Sequence, residues 1–205
     1  MYNAEASNAA ELIGRISSAF LPSHEVYNEK FYSFTLTVPR LSGAADELVI
    51  TVSDDLLYGT DYRLGDCLCV KGQFRSYNNY SEVGNKLILT VFAKQLEYIP
   101  EVPKEGWINE ILLRGYLCKP PIYRTTPFGR EITDLLVATN RTYNKSDYIP
   151  CIAWGRNSKF ASGLSVGDKV EITGRMQSRE YQKKIGENQV DTRVAYEVSV
   201  TNISS

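Results

Sequence analysis

Apolar and polar residues alternate along most of the chain in short runs, which glycine, proline, asparagine and aspartate interrupt. Alternation with a period of two is typical of β-strands with one buried face, whereas helices repeat every 3.6 residues. The pattern therefore predicts an all-β protein. The predicted strands are 10–20, 30–38, 47–53, 66–75 and 86–98 in the first half, and 109–117, 131–140, 148–154, 169–178 and 192–200 in the second.

Two stretches break the alternation and are predicted as short helices. Residues 156–164 lie between the third and fourth strands of the second half and end near Gly163. The equivalent stretch of the first half is 54–58, where Asp54 or Asp55 is placed to cap the helix. Each half is thus predicted as five strands with a helix after the third.

The two halves resemble each other in sequence. Gly65 and Gly167 are 102 positions apart, and so are Gly72 and Gly174, within similar strand sequences. Pro100, Pro103 and Gly106 interrupt the strand pattern between the copies. The expected domains are residues 1–99 and 107–205, joined by a linker of residues 100–106.

Five strands with a helix after the third, in about a hundred residues, match the element order of the OB-fold. This Greek-key barrel often binds oligonucleotides on the face of its strands 2 and 3. We therefore expect two tandem OB-fold barrels.

The charge of the chain is nearly balanced, with 23 basic and 24 acidic residues among 205. The balance hides an asymmetry, because residues 1–104 carry a net charge of −4 and residues 105–205 a net charge of +3. The second half is the better candidate for an anionic partner. No apolar run approaches the ~20 residues of a membrane helix, and residues 1–10 do not resemble a secretory signal. We expect a cytoplasmic protein.

Catalytic and metal chemistry have little support in the sequence. The only histidine, His24, has no motif around it and is predicted to lie in a solvated loop. The four cysteines form no C-x-x-C pair, and Cys67 and Cys69 are predicted as core residues on one face of a strand. There is no phosphate-binding loop, H-E-x-x-H motif or nucleophile elbow. We expect no catalytic residues, no metal, no disulfide and no cofactor.

The second half interleaves aromatic and basic residues near the predicted 2–3 and 4–5 hairpins. Unpaired bases stack on aromatic rings, and cations beside the rings hold the phosphates. A core position for the tryptophan and plain surface positions for the tyrosines are the alternatives. The candidate stacking residues are Tyr143, Tyr148, Trp154 and Tyr181, and the candidate phosphate contacts are Arg141, Lys145, Arg156, Arg175, Arg179 and Lys183.

Motifs in this half, in this order, resemble those of the bacterial single-stranded DNA-binding proteins. The resemblance spans residues 107–202. The motifs are Leu113-Arg114-Gly115-Tyr116-Leu117, Thr126-Pro127-Phe128-Gly129-Arg130, Ala138-Thr139-Asn140-Arg141, Ala153-Trp154-Gly155-Arg156, Gly167-Asp168-Lys169-Val170, Ser178-Arg179-Glu180-Tyr181 and Tyr196-Glu197-Val198.

The resemblance implies a protein that coats single-stranded DNA with little sequence preference, in replication, recombination or repair. It places the family's stacking aromatics on the four candidates above. The family usually assembles four single-barrel chains, so two barrels per chain imply a homodimer. The family commonly ends in an acidic tail that recruits replication proteins; we expect no such tail after Ser205, which leaves recruitment open.

The first half departs from this pattern. Residues 40–47 contain no aromatic residue, and Ser53-Asp54-Asp55 stands where the second half has a tryptophan and an arginine. Only residues 74–77 and Tyr80 keep part of a stacking hairpin. We expect a degenerate barrel that serves as a scaffold or subunit contact.

Two other functions remain open from the residues. The barrels could form a protein-interaction or assembly module, as in a primosome, because tyrosine, tryptophan and arginine also dominate protein interfaces. Single-stranded RNA is the third possibility. Steep weakening by salt would distinguish nucleic-acid binding from apolar protein contacts.

Overall fold

A computed structural model describes residues 7–81, 84–101, 106–141, 145–184 and 190–205. Side chains are described for all of these except 78–81, 84–86, 180–184, 190, 191 and 193.

The first copy contains six strands and a short helix. They are β1 (Asn8–Ile16), β2 (Leu21–Val26), β3 (Glu29–Pro39), β4 (Ala45–Ser53), α1 (Asp54–Leu57), β5 (Cys67–Ser81) and β6 (Gly84–Ile99). The second copy repeats this order. Its elements are β7 (Asn109–Leu117), β8 (Ile122–Thr125), β9 (Glu131–Arg141), β10 (Lys145–Trp154), α2 (Gly155–Ser162), β11 (Lys169–Lys184) and β12 (Val190–Ser204).

Each copy closes into a five-stranded barrel. In the first copy β1 pairs with β3, β3 with β4, β4 with β6, β6 with β5 and β5 with β1. In the second copy the same circuit runs β7, β9, β10, β12, β11 and back to β7. Only β4–β6 and β10–β12 are parallel among these pairs. This is the strand order of an OB-fold, so the predicted tandem OB-folds are confirmed.

The alternating residues fill the barrels as the sequence pattern predicted. Phe74, Leu36 and Ile50 are fully or almost fully buried in the first barrel, and Leu113 and Ile149 are fully buried in the second. Burial of apolar side chains is the main force that stabilises such small barrels.

Gly72 and Gly174 lie at the bulges where β5 and β11 change register against β6 and β12. A Cβ atom at Gly72 would overlap the carbonyl oxygen of Phe92, and one at Gly174 would approach that of Ser199 in the same way. The repeated glycines therefore mark a close approach of two backbones.

The two barrels join through an antiparallel pairing of β1 with β7. In this pairing Ala10 lies opposite Ile111, which occupies the same position in the second copy. The copies are therefore related by a local two-fold axis that passes between these two residues. The pairing links both barrels into one twelve-stranded sheet.

The structure corrects several local predictions. Each copy has an extra strand, β2 or β8, which pairs with β3 or β9 and was not predicted. His24 lies in β2 and not in a loop; it is exposed, and its ring stacks on Phe31 at 4.7 Å. Ser53, and neither aspartate, is the N-cap residue of α1, with no side-chain capping bond.

The boundaries of the two domains stay a prediction. Of the helices within the described ranges, none has the length and apolarity to span a membrane.

Candidate nucleic-acid interface

The candidate site lies on the outer face of β9 and β10. Along β10, Ile149, Cys151 and Ala153 point into the barrel core and are buried. Because side chains alternate along a strand, Tyr148 and Trp154 point to the opposite face. The side chain of Tyr148 is 48% exposed and that of Trp154 is half-buried.

Tyr148 and Trp154 are six positions apart, which is roughly 20 Å along a strand that rises about 3.3 Å per residue. The two rings therefore cannot stack on the same base. A single strand that follows β10 would meet them one after the other.

Basic residues stand at both ends of β10. Arg141 ends β9 and lies opposite Lys145, the first residue of β10. Arg156 is the second residue of α2, directly after Trp154 and Gly155. Lys145 and Arg156 are both exposed and form no ion pair with any part of the chain that the structure describes.

Two carboxylates beside this face, Asp134 on β9 and Glu197 on β12, lie next to arginines. Asp134 accepts hydrogen bonds from Arg124 at 2.6 and 3.1 Å, and these bonds raise the pKa of Arg124. Glu197 accepts a bond from Gln177 at 2.7 Å and lies 3.5 Å from Arg179. These pairs reduce the repulsion that a phosphate backbone would meet.

Two predicted phosphate contacts already have acidic neighbours. Arg141 Nη1 lies 3.7 Å from the buried carboxylate of Asp147. Arg179 lies next to Glu197, but just over half of its side chain is exposed.

Arg175 is placed differently from the other predicted contacts. Its Nη1 donates to Asp46 of the first barrel at 3.0 Å, and its Nη2 donates to Gln177 at 3.1 Å. Burial and the nearby Arg40 lower the pKa of Arg175. These surroundings favour a structural role between the barrels.

For three predicted site residues the structure does not place the side chain. Tyr143 lies outside the described residues, and the side chains of Tyr181 and Lys183 are not described. The predicted turn at 185–188 also lies outside the described residues.

The equivalent face of the first barrel carries different chemistry. Glu47 lies opposite Thr37, as Tyr148 lies opposite Ala138 in the second copy. At the end of the strand, Ser53 replaces the tryptophan. The first turn of α1 is acidic, with Asp54 and Asp55. A phosphate backbone would meet carboxylates on this face.

Sequence reasoning missed Arg124, which lies on β8 and pairs with Asp134. The only sequence signal for this role was its own basic side chain, in the short Ile122–Thr125 segment between two predicted strands.

No group of three metal-binding side chains occurs among the described residues. All four cysteines are free thiols, and burial raises the pKa of each. The expected lack of a cofactor and of catalysis stays a prediction.

The two closed barrels and the exposed ring of Tyr148 define a tandem OB-fold protein with an aromatic and cationic face. The sequence profile described as "Single-strand binding protein family" matches residues 108–204. Single-stranded DNA-binding protein 1 of Staphylococcus aureus (strain COL) is 34% identical over 94 residues, which are 42% of this chain and 56% of that protein. Single-stranded DNA-binding protein 3 of Clostridium acetobutylicum is 30% identical over 97 residues, which are 44% of this chain and 67% of that protein.

The chain belongs to the single-strand binding protein family, which confirms the resemblance seen in the sequence. It spans 56% of the length of the S. aureus relative. The crystal structure of wild-type single-stranded DNA binding protein from Thermus aquaticus covers 96% of this chain and 91% of its own, with a TM-score of 0.73 and 19% identity. This likeness extends the shared fold to both barrels.

Proposed function

We propose that the chain binds single-stranded DNA with little sequence preference through the outer face of its second barrel, in replication, recombination or repair. The observation that carries this proposal is the exposed ring of Tyr148 on the same face as Trp154, between Lys145 and Arg156. The names of the relatives that match this barrel support it.

The chemistry of the face suits an unpaired strand. Each base stacked on an aromatic ring contributes about 1–3 kcal/mol, and every base has a face that can stack. Exposed cations at the two ends of β10 attract phosphates without reading sequence. The face therefore favours a strand whose bases are free over a duplex.

The proposed site keeps all the residues expected from the sequence. Arg175 has the least structural support among them, because it bonds to Asp46. We also propose that residues 1–99 form a scaffold barrel, that residues 107–205 form the binding barrel, and that two chains assemble as a homodimer. The carboxylates on the face of the first barrel support its role as a scaffold.

Tryptophan fluorescence tests the proposal. Trp107 would obscure the signal, so Trp107→Phe is the background; its ring is part-buried and lies 5.8 Å from the Arg15 guanidinium. Oligo-dT should quench Trp154 in this background, and binding should weaken steeply as salt rises.

Unchanged emission with excess oligo-dT, together with no retention of a labelled strand, would exclude the proposal. Binding that barely responds to salt would favour a protein-interaction module. Competition between oligo-dT and oligo-U distinguishes DNA from RNA.

A further inference from the structure

Two clusters of charged residues lie between the barrels, and the local two-fold axis relates the aspartate and one arginine of each. In the first cluster, Asp46 is the carboxylate and Arg40 is the arginine of the same barrel. The second cluster has Asp147 and Arg141 at the equivalent positions, each 101 residues further on. In both clusters a second arginine comes from the other barrel, at positions that the axis does not relate.

In the first cluster, both arginines donate hydrogen bonds to the carboxylate. Asp46 accepts hydrogen bonds from Arg40 Nε at 2.7 Å and from Arg175 Nη1 at 3.0 Å, and its side chain is 1% exposed. The backbone N–H of Ser178 adds a bond at 3.2 Å. Both guanidinium groups therefore bond directly to the carboxylate between them.

In the second cluster, neither arginine donates a hydrogen bond to the carboxylate. Asp147 accepts the backbone N–H of Ser76 at 2.8 Å, but Arg141 Nη1 lies 3.7 Å away, too far for a hydrogen bond. The second arginine is Arg75, which forms no ion pair within the described ranges. The Nε atoms of Arg75 and Arg141 are buried and have no hydrogen-bond partner among the described residues.

Arg75 stays charged in this position, because a guanidinium does not lose its proton in proteins. Its Cζ atom lies 3.8 Å from the centre of the Phe92 ring, and its Nη2 donates to Gln73 at 3.0 Å. Burial and the neighbouring Arg141 lower its pKa. Two guanidinium groups thus lie near one carboxylate, and the cluster carries a net positive charge.

This cluster adjoins the face that carries Tyr148. The backbone N–H of Tyr148 donates to Ser76 Oγ at 2.7 Å, and Tyr148 directly follows Asp147. Arg75 precedes Ser76 in β5. The arginine of the first barrel therefore stands at the border of the proposed site on the second barrel.

We propose that Arg75 and Arg141 together bind one backbone phosphate of the single strand, so that the first barrel supplies a phosphate contact to the site of the second. Phosphate oxygens accept charge-assisted bonds from guanidinium groups, and these two arginines carry one positive charge more than Asp147 balances. This proposal rests on the proposed function. It gives the first barrel a part in binding although its own outer face is acidic.

The test compares Arg75→Gln with Arg63→Gln in the full chain. Arg63 is exposed, belongs to the same barrel and pairs with Asp61, so its replacement removes an equal charge away from the junction. We expect Arg75→Gln to weaken oligo-dT binding roughly ten- to thirtyfold at low salt. The slope of log K against log salt should become shallower, by up to about the 0.7 of one whole phosphate contact on a single strand, because Arg141 remains. Arg63→Gln should match the parent in both.

Arg75→Lys separates charge from geometry, and melting curves check that each variant is folded. The lysine variant should keep the salt slope of the parent but bind severalfold more weakly, because it lacks the paired donors. A folded Arg75→Gln with the slope and affinity of the parent would overturn the proposal. If the glutamine variant does not fold, parent-like affinity of Arg75→Lys would overturn it. A parent that binds no oligo-dT would instead defeat the proposed function.

Discussion

Asp46 of the first barrel accepts a hydrogen bond from Arg175 of the second barrel at 3.0 Å, in a setting where the aspartate side chain is 1% exposed. Arg40 bonds to the same carboxylate from within the first barrel. The bond between Asp46 and Arg175 is therefore a partly buried ionic link between the two barrels, which are also joined by the β1–β7 pairing.

We expect Asp46→Ala to lower the free energy of unfolding by about 3–5 kcal/mol, because it leaves two partly buried guanidinium groups without their carboxylate. Urea denaturation of the full chain measures the change. Asp61→Ala is the control, since Asp61 forms an exposed pair with Arg63 and its loss should leave stability unchanged. Equal stability of the two variants would contradict a structural role for Asp46.

Tyr148→Ala should weaken binding to oligo-dT by about 1–3 kcal/mol, because one stacking surface is lost. Its thermal stability should stay close to that of the parent, since the ring points away from the barrel core. Tyr98→Ala is matched in exposure, at 49% against 48%, and lies on β6 of the first barrel. Fluorescence anisotropy with labelled oligo-dT measures both; equal affinities of the two variants would argue against stacking on Tyr148.

Stability should fall at alkaline pH because of Cys151. Burial raises the pKa of its thiol above the ordinary value of 9.0, so the folded chain keeps a proton that the unfolded chain releases. This contribution is complete below pH 9 and is lost as pH rises further. From pH 8 to pH 10 one such thiol lowers the free energy of unfolding by about 1.4 kcal/mol.

Urea denaturation at pH 8 and pH 10 should therefore show a smaller loss for Cys151→Ala than for the parent. Cys118→Ala is the comparison, because the Cys118 side chain is only half-buried and its Sγ bonds to the Leu136 carbonyl oxygen. An alkaline loss in Cys151→Ala as large as that of the parent would show that this thiol does not titrate on unfolding.

Light scattering tests the proposed homodimer. We expect a mass of twice the 23.1 kDa of the chain, because two chains supply the four barrels that the family resemblance implies. A constant mass of one chain at all concentrations would exclude the homodimer. Adding oligo-dT in the same experiment would show whether the assembly changes on binding.

Much of the fold was predictable because local chemistry sets it. Alternation predicted ten of the twelve strands, breaks in it predicted both helices, and the glycine pairs revealed the repeat. The strands β2 and β8 were missed because both lie at the sheet edges and are exposed on both faces, so they show no alternation of buried and exposed residues.

The candidate site was only partly predictable. Tyr148, Lys145 and Arg156 are exposed in the structure, as a binding role requires. Arg175 has the same residue type and a similar sequence setting, yet it bonds to Asp46. The sequence could not distinguish these cases, because the partner of Arg175 lies 129 positions away in the other barrel.

The sequence by itself determined the two OB-fold barrels, the repeat that relates them and the aromatic and basic character of the second, because periodicity and residue type are local properties. Only the tertiary structure decided which basic residues bond to carboxylates between the barrels and which border the outer face. The local axis at Ala10 and Ile111 brings β5 of one barrel against β10 of the other. That packing places Arg75 near Arg141, and contacts between distant segments have no counterpart in local sequence.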